Sequence, residues 1–246
     1  MDMELFHRWQ EAALVKNITN TGKLQHLEVP PIENPYPEGV QLIALPEPDF
    51  LEDHQVSFLE LMELRSTVRD YSSEPLTMKE LSYLLWCTQG IKMILPAGAT
   101  KRTVPSAGAR NALETYLYID KVEKLEAGLY RFLPVEHALL PMELGENVKE
   151  KLAPGFNKLN MYRSAAVTFM WAAVLERMEY TFGNRALQYL FIDAGHVCQN
   201  LYLAGYTIDT GVCAIGHFND RELNQLLGLD GEREFMVYAA HAGKNK

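Results

Sequence analysis

A long amphipathic segment, Arg185 to Gly205, constrains the fold of this chain more than any other stretch of its sequence. Apolar residues recur there at the spacing of one helix face over about five turns. They are Leu187, Leu190, Phe191, Ala194, Val197, Cys198, Leu201 and Ala204. The chain has 246 residues, of which 48% are hydrophobic, and this is enough to build one sizeable core around such a helix. We therefore predict that this helix is the spine of the fold.

Several segments on either side of that helix have the composition of strands. Thr115 to Asp120 and Gly128 to Leu133 are rich in aromatic and β-branched residues and predict a hairpin. Ala165 to Ala173 is continuously apolar, which is typical of a central strand covered on both faces. Glu234 to Ala240 is a further predicted strand, and the polar segment around Glu143 to Leu152 predicts a helix.

Other segments carry clear helix and loop signals. Val56 to Leu64 has apolar residues at helical spacing, and Thr77 to Gly90 begins with a capping-box pattern. Residues 219–227 predict a short capped helix, whereas residues 96–111 are rich in small residues and predict a loop that can approach a ligand closely. This order of elements predicts an α+β fold with a central mixed sheet flanked by helices.

Prolines set the N-terminal region apart from the rest of the chain. Residues 1–20 predict a short helix, and Val29 to Gly39 contains several prolines, which fix φ and remove backbone donors. We predict that residues 1–54 form an N-terminal extended arm, which lies on the surface of its own or of a partner subunit. Residues 55–246 are then the main domain.

The stretch Arg65-Ser66-Thr67-Val68-Arg69-Asp70-Tyr71 holds two guanidinium groups and two hydroxyls within five residues. Arg65 and Arg69 share one side whether the stretch is extended or helical. Two converging guanidinium groups repel each other unless an anion lies between them, and their planar donors suit a phosphate. The stretch alone leaves two interpretations open, a phosphate-binding clamp and a solvated pair of surface arginines.

Charge and cysteine content narrow the class of protein. The formal net charge of -9 at pH 7 argues against sequence-independent binding to nucleic acid. Cys87, Cys198 and Cys213 are far apart and lack CxxC spacing, which favours a reducing compartment. Neither a signal-peptide pattern nor an apolar run long enough to span a bilayer is visible. We expect a cytoplasmic protein with no nucleic-acid or membrane partner.

Sequence motifs of several other enzyme classes are missing. The chain has no G-x-G-x-x-G, no Walker A, no H-E-x-x-H and no G-x-S-x-G. Asp193 and His196 have helical i, i+3 spacing, but no third ligand is suitably spaced, so we predict a structural helix pair and no metal site. No histidine lies in a recognisable triad, and we predict no catalytic side chain. Gln199 and Asn200 are either interhelical hydrogen-bond partners or ligand contacts.

Five motifs occur in an order that resembles the nitroreductase family. They are Arg65 to Tyr71, then Leu81-x-x-Leu84-Leu85-Trp86-x-x-x-Gly90-Ile91, then Pro105-Ser106-Ala107-Gly108, then Asp193-Ala194-Gly195-His196-x-x-Gln199-Asn200-Leu201, and then Ile215-Gly216-x-Phe218. The resemblance covers about residues 55–243 and is greatest to the branch that contains the SagB-type azoline dehydrogenases. It implies a nitroreductase-like fold, FMN as the cofactor, and a homodimer with its flavins at the subunit interface.

The resemblance also implies the residues that bind FMN. Those implied for the phosphate and ribityl chain are Arg65, Ser66, Thr67 and Arg69. Those implied to lie against the flavin ring or the ribityl hydroxyls, from the same or the other subunit, are Pro105, Ser106, Ala107 and Gly108. Those implied to face the N5 and pyrimidine edge are Cys213, Ala214, Ile215 and Gly216. Gly243 and Lys244 occupy the place of a late phosphate-binding basic residue.

We therefore predict an FMN-dependent oxidoreductase that accepts hydride from NAD(P)H on flavin N5 and then reduces an electron-poor small molecule, such as a nitroaromatic or a quinone. One alternative is a SagB-type dehydrogenase that oxidises an azoline or another modified peptide. The chain lacks the Lys-Tyr dipeptide associated with peptide azoline oxidases, which weighs against this alternative. Two others are a non-catalytic flavin-binding protein and a small-molecule binding module without flavin.

Overall fold

The computed structural model describes residues 2–48, 56–96, 98–145, 147–156 and 160–246. In chain order its helices are α1 Met3–Ala12, α2 Phe58–Leu64, α3 Met78–Gln89, α4 Asn147–Leu152, α5 Leu175–Phe182, α6 Ala186–Tyr206 and α7 Asp220–Leu227. Its strands are β1 Ile43–Ala44, β2 Ile91–Leu95, β3 Ala99–Arg102, β4 Leu113–Ile119, β5 Gly128–Leu133, β6 Ala138–Leu144, β7 Val167–Val174, β8 Thr210–Ile215 and β9 Glu234–Lys244. The predicted α+β fold is confirmed. The predicted boundary between residues 54 and 55 lies outside the described residues.

Seven strands form the central sheet, in the order β1-β6-β5-β4-β7-β9-β8. Every ladder between these strands is antiparallel, so the sheet is antiparallel rather than mixed. Short turns join β4 to β5 and β5 to β6, and a short connection can only reverse the chain direction. Parallel pairing in the described residues is limited to two isolated bridges, Thr67 with Val212 and Leu76 with Val122.

The predicted strands and helices agree with the structure where local sequence signals are strong. The predicted hairpin is β4 with β5, and the continuously apolar segment forms β7, an interior strand buried along its whole length. Helix α3 begins with the predicted capping box between Thr77 and Glu80, and Asn219 caps α7.

Two strands differ from the prediction. Residues 138–144 form β6, so that only Asn147–Leu152 of the predicted helix around residues 143–152 is helical. Pro141 lies inside β6, and a proline within a run argues against a strand in the sequence alone. Residues 99–102, inside the predicted loop, form β3 and pair with β2 in a separate hairpin. In both cases long-range pairing outweighs local composition.

Helix α6 is the predicted long helix and lies in the main core on one face of the sheet. Phe191 was predicted to lie on the apolar face of this helix, and this is wrong, because its side chain is 58% exposed. The next residue, Ile192, is also exposed. Residue 191 falls at the margin of the apolar stripe, which leaves it turned away from the sheet.

The opposite face of the sheet carries a second core. Along β4, Leu117 packs on the α6 side, whereas Tyr116 and Tyr118 pack on the other side, as the alternation of a strand requires. Leu152 of α4 and Leu223 of α7 cover this second core. Helices therefore enclose the sheet from both faces.

The N-terminal region lies on its own chain. It is not extended throughout, since it contains α1 and the short strand β1, which pairs with β6. The proline-rich part is held by Asn34, whose backbone N–H donates to Glu114 Oε1 at 2.8 Å and whose carbonyl accepts from Arg131 Nη2 at 2.8 Å. Its side-chain amide donates to Glu234 Oε2 at 2.9 Å.

None of the helices in the described part of the chain combines the length and the apolar character that crossing a bilayer requires.

Candidate functional site

The Arg65–Tyr71 segment forms an extended edge beside β8. Helix α2 ends at Leu64, and Arg65 is its C-cap. The Val68 N–H then donates to the Val212 carbonyl at 3.0 Å, and Thr67 bridges Val212. A Cβ placed on Gly211 would lie 2.6 Å from Val68 Cβ, so this close approach requires glycine. The sequence left an extended and a helical conformation open for this segment, and the structure has the extended one.

Tyr202 of α6 joins the parts of this site. Its hydroxyl lies 3.3 Å from Thr67 Oγ1 and accepts a hydrogen bond from the Ala214 N–H at 2.8 Å. The Arg65 guanidinium lies over its ring, 5.4 Å from the centroid, within the range of a cation–π contact. One aromatic side chain therefore brings Arg65, Thr67 and Ala214 together. No sequence motif identified Tyr202, because its partners lie far away along the chain.

Arg69 is exposed, and no side chain of the described residues forms a salt bridge or hydrogen bond with it. Its charge acts on two buried neighbours. Burial raises the pKa of the Cys213 thiol and the pKa of the Tyr71 hydroxyl, and Arg69 opposes both shifts. The guanidinium donors of Arg69 are therefore available to an anion beside β8.

A cleft with a volume of about 500 Å³ lies next to this segment. Arg65, Ser66 and Tyr202 line it, together with Asp70 and Lys246. Lys246 forms an ion pair with Asp70. Among the described residues the Arg65 guanidinium forms no ion pair, and it lines the cleft together with Ser66.

The Pro105 to Gly108 segment is fixed to α6 by Asp193. The Ser106 hydroxyl donates to Asp193 Oδ2 at 2.6 Å, and the Ala107 N–H donates to Asp193 Oδ1 at 3.1 Å. Burial raises the pKa of Asp193, and these two hydrogen bonds oppose the shift. Gly108 has a φ of +56° and packs against Phe182. The predicted helix pair joined Asp193 with His196, whereas the hydrogen-bond partners of the Asp193 carboxylate lie in this loop.

The structure separates this loop from the Arg65 segment within one chain. Asp193 and Tyr202 are nine residues apart on α6, which is about 13 Å along the helix axis. Between them, Asn200 donates to the Cys87 carbonyl at the end of α3 at 2.8 Å, which favours the interhelical interpretation of this residue. Within the described residues, no group of histidine, cysteine and carboxylate side chains could hold a metal ion.

Cys213, Ala214, Ile215 and Gly216 present little side chain to a ligand. Cys213 and Ile215 are buried in the second core. Gly216 follows the end of β8 and is exposed, and a Cβ there would find only Tyr238 within 4 Å, at 3.9 Å. Its N–H donates to no backbone carbonyl of the described residues. What this segment offers a ligand is therefore a backbone amide in open space.

Gly243 and Lys244 are not brought to the cleft. The Lys244 ammonium donates to Glu80 Oε1 at 2.5 Å and to the Ile208 carbonyl at 2.8 Å, and the residue is 9% exposed. A Cβ on Gly243 would lie 3.0 Å from Tyr71 Cβ. In this structure Lys244 neutralises a carboxylate below the site, and Gly243 makes room for Tyr71.

Fold and cleft together define an α+β protein with a basic, hydroxyl-bearing cleft at one edge of an antiparallel sheet. Residues 62–244 match the model of the nitroreductase family. The chain belongs to the nitroreductase family. This membership supports an oxidoreductase as the class of activity and a flavin as the cofactor.

Individual relatives agree with this assignment. A nitroreductase-type protein of Methanocaldococcus jannaschii is 32% identical over 175 residues, which are 71% of this chain and 86% of the relative. A crystal structure of a nitroreductase-type protein from Ralstonia eutropha has a TM-score of 0.69 and 25% identity, and the match covers 89% of this chain and 99% of that one. A second one, from Anabaena variabilis, has a TM-score of 0.69 and 28% identity over 85% of this chain. The present chain spans only 42% of that Anabaena chain.

Proposed function

We propose that this protein is an FMN-dependent oxidoreductase that takes hydride from NAD(P)H and passes it to an electron-poor small molecule, such as a nitroaromatic or a quinone. The observation that carries the proposal is the cluster of Arg65, Thr67 and Ala214 around Tyr202. Arg69 follows in the same extended segment, and it forms no salt bridge with the described residues. A nitroreductase-type protein of Desulfovibrio desulfuricans, crystallised with FMN, shares the fold with a TM-score of 0.51 and 18% identity.

The donors of the Arg65 segment suit a phosphate. Arg65, Ser66, Thr67 and Arg69 offer two guanidinium groups and two hydroxyls along one extended edge. The C-terminal end of α2 points at this edge, and a helix C-terminus carries partial negative charge that repels anions. The side-chain cations must therefore supply the attraction. We propose that these four residues hold the FMN phosphate and the start of the ribityl chain.

The backbone at the end of β8 suits a planar ring. Gly216 is exposed and its N–H donates to no backbone carbonyl of the described residues, and Ala214 and Ile215 lead the strand to it. Bound FMN would supply reversible two-electron chemistry at N5. The Gly216 amide would orient the ring and stabilise charge on it, without a side chain in the way. The proposal gives Cys213 a place in the core behind the ring, since its thiol is buried.

The proposed cofactor site includes the partner subunit's copy of the Pro105 to Gly108 loop. Within one chain this loop lies far from Tyr202, so a contact from a second copy is the simpler arrangement. Helix α2 has no buried residue, and its Phe58 and Leu59 are 70% and 68% exposed. Exposed apolar side chains that are this large and adjacent mark an interface. We propose that the protein is a homodimer that covers them.

Gly243 and Lys244 have an indirect part in this proposal. Lys244 would have to leave Glu80 before it could reach a phosphate. The Glu80 carboxylate, which is only 15% exposed, would then lack a counterion. We propose that Lys244 instead fixes the end of β9 against α3 and so supports the strand edge on which the Arg65 segment lies.

The decisive experiment is the absorption spectrum of the purified full chain before and after anaerobic addition of NADH or NADPH in a stopped-flow instrument. Bound flavin that is bleached within seconds, and recovers its colour when a quinone is added, is the expected result. Yellow protein that no nicotinamide reduces would refute hydride uptake and leave a flavin-binding protein. Colourless protein that does not bind added FMN would refute the cofactor.

A second candidate function is the oxidation of a modified peptide, with electrons passed to oxygen. It is favoured by one relative, a protein of Rhizobium leguminosarum bv. trifolii named for the processing of trifolitoxin. This relative is 27% identical over 67% of the present chain, which spans 46% of its length. Here the same flavin would be bleached anaerobically by an azoline-containing peptide and not by a nicotinamide.

A further inference from the structure

Tyr202 connects the core of the protein to the cleft beside β8. It lies on α6, its ring packs against the main core, and it also lines the cleft. A tyrosine suits such a place, since its ring is apolar and its hydroxyl forms hydrogen bonds. The side chain therefore reaches the cleft from the long helix at the centre of the fold.

The Tyr202 hydroxyl takes up the backbone amide of Ala214, whose N–H donates to it at 2.8 Å. The family resemblance implied that Ala214 faces the flavin, but this N–H is already engaged. The Gly216 N–H, by contrast, donates to no backbone carbonyl of the described residues. The amide contact with the ring that is proposed above therefore falls to Gly216, and the Ala214 amide serves to fix the Tyr202 hydroxyl.

Tyr202 and Thr67 together keep one hydroxyl proton in reserve. Their oxygens are 3.3 Å apart, and either hydroxyl can be the donor. Each hydroxyl has one proton to donate, so one hydrogen bond between them leaves a second O–H group. Among the described residues neither hydroxyl has another acceptor. The pair can therefore donate one hydrogen bond to a ligand oxygen, and an anionic phosphate oxygen is a strong acceptor for it.

The Tyr202 ring holds the Arg65 guanidinium without neutralising it. The Cζ atom of Arg65 lies 5.4 Å from the ring centroid, and a cation–π contact of this kind supplies no counter-charge. A free arginine side chain has many rotamers, and a contact that restricts them lowers the entropy lost when an anion binds. A phosphate would therefore meet a guanidinium that is already oriented.

The charges that line the cleft favour an anion beside Tyr202. The charged side chains of the lining are those of Arg65, Asp70 and Lys246. Asp70 and Lys246 form an ion pair with each other. The charge of Arg65 is thus left over, and the net charge of these side chains is positive.

We propose that Tyr202 is a positioning residue of the FMN site and that it sets the preference of this protein for the phosphorylated flavin. Its ring orients Arg65, its hydroxyl orients Thr67, and these two residues bind the phosphate. The bond to Ala214 fixes the hydroxyl. This inference rests on the proposed function, and the competing interpretation is that Tyr202 only packs against the core.

Tyr189 provides a closely matched control on the same helix. The Cζ atom of Arg185 lies 5.5 Å from the Tyr189 ring centroid, and its Nε donates to the Tyr189 hydroxyl at 3.2 Å. Tyr189 is not among the residues that line the cleft. Substitutions of Tyr189 therefore remove the same kinds of contact outside the proposed phosphate site.

The test is fluorescence titration of the full-length apoprotein with FMN and with riboflavin, which lacks the phosphate. Tyr202→Phe keeps the ring and loses the hydroxyl, and it is expected to weaken FMN binding about two- to tenfold. Tyr202→Leu loses both and is expected to weaken FMN binding about ten- to a hundredfold. The affinity for riboflavin should change much less, and so should the FMN affinity of Tyr189→Phe and Tyr189→Leu.

Two results would overturn the positioning role. One is a loss of FMN affinity that is no greater in the Tyr202 variants than in the Tyr189 variants. The other is an equal loss for FMN and riboflavin, which a packing residue would produce. If riboflavin binds too weakly to measure, the salt dependence of FMN binding decides instead. It should become less steep in Tyr202→Leu, because the Arg65 charge no longer lies against the phosphate, and an unchanged dependence would overturn the role.

A double-mutant cycle tests whether Tyr202 acts through Arg65. Arg65→Gln is expected to weaken FMN binding about ten- to a hundredfold in the unmodified chain and in Tyr189→Leu. In Tyr202→Leu the same substitution should cost much less, because Arg65 is no longer oriented there. Additive losses, which are normal for independent residues, would refute this route. An unmodified chain that binds neither flavin would instead refute the FMN site itself. Melting temperatures verify that each variant is folded, and Tyr202→Phe, which keeps the packing of the ring, remains informative if Tyr202→Leu does not fold.

Discussion

Replacing Arg69 by glutamine separates the two interpretations of the Arg65 segment. In the structure Arg69 is exposed and has no protein partner among the described residues, so the substitution removes no internal hydrogen bond or ion pair. If its guanidinium binds the FMN phosphate, the variant loses one charge-assisted contact, worth about 1.5–3 kcal/mol. The dissociation constant of FMN should then rise about ten- to a hundredfold.

The assay is fluorescence titration of the apoprotein with FMN, with thermal unfolding measured in parallel. Arg69→Gln should leave the melting temperature of the apoprotein unchanged, because exposed residues without partners contribute little to stability. Arg163→Gln is a matched control, since it removes one exposed guanidinium that pairs with Glu150 and does not line the cleft. Affinity for FMN should be unchanged in this control.

Salt dependence provides an independent readout of the same contact. Binding carried by two guanidinium groups weakens as ionic strength rises, and removal of one of them should reduce that slope. If Arg69→Gln binds FMN as tightly as the unmodified protein, with the same dependence on salt, then Arg69 is a solvated surface arginine and the clamp is refuted.

Three further predictions follow from individual contacts. Gly211→Ala should push Val68 away from β8, because the new Cβ would lie 2.6 Å from Val68 Cβ, and FMN titration should show weaker binding than in a Gly195→Ala control, where a Cβ would meet nothing within 4 Å. Lys244→Met should lower the free energy of unfolding by about 1–3 kcal/mol, because Glu80 loses its ammonium partner. Urea unfolding measures this loss, and an unchanged urea midpoint would contradict the prediction. Burial raises the pKa of Glu33 to about 7 from 4.5, so the folded chain binds this proton more tightly, and stability should fall as pH rises from about 4.5 to about 7. Glu33→Gln should flatten that part of the profile.

Local signals explain why much of the fold is visible in the sequence. The capping box of α3 needs only Thr77 and Glu80, which are three residues apart, and the structure contains both of its hydrogen bonds. Strand β5 has the predicted bounds, because a turn precedes its first residue and aromatic residues occur along it. Strand β6 has no such signal, since it contains Pro141 and depends on pairing with β5 and β1. Direction of pairing across the sheet is likewise a property of contacts between distant segments.

The candidate site depends even more on distant contacts. The sequence indicated Arg65 and Thr67 as ligand residues but not Tyr202, which lies 135 residues beyond Thr67. In the same way it indicated Ser106 and Asp193 in separate motifs, and the hydrogen bond that joins them spans 87 residues. Motifs identify which residue types belong to a site, whereas the residues that position them become visible only in the fold.

Glu80 shows why a basic residue in a binding motif need not bind the ligand. Its Oε2 accepts hydrogen bonds from the Thr77 N–H and hydroxyl at 2.8 and 3.0 Å, and its Oε1 accepts from Lys244 at 2.5 Å. One carboxylate thus caps α3 and neutralises the last residue of β9. Without Lys244 this largely buried carboxylate would lack its counterion, and the capping box would stabilise α3 less. Lys244 therefore joins a helix start to a strand end, and this leaves Arg65 and Arg69 as the cations of the proposed phosphate site.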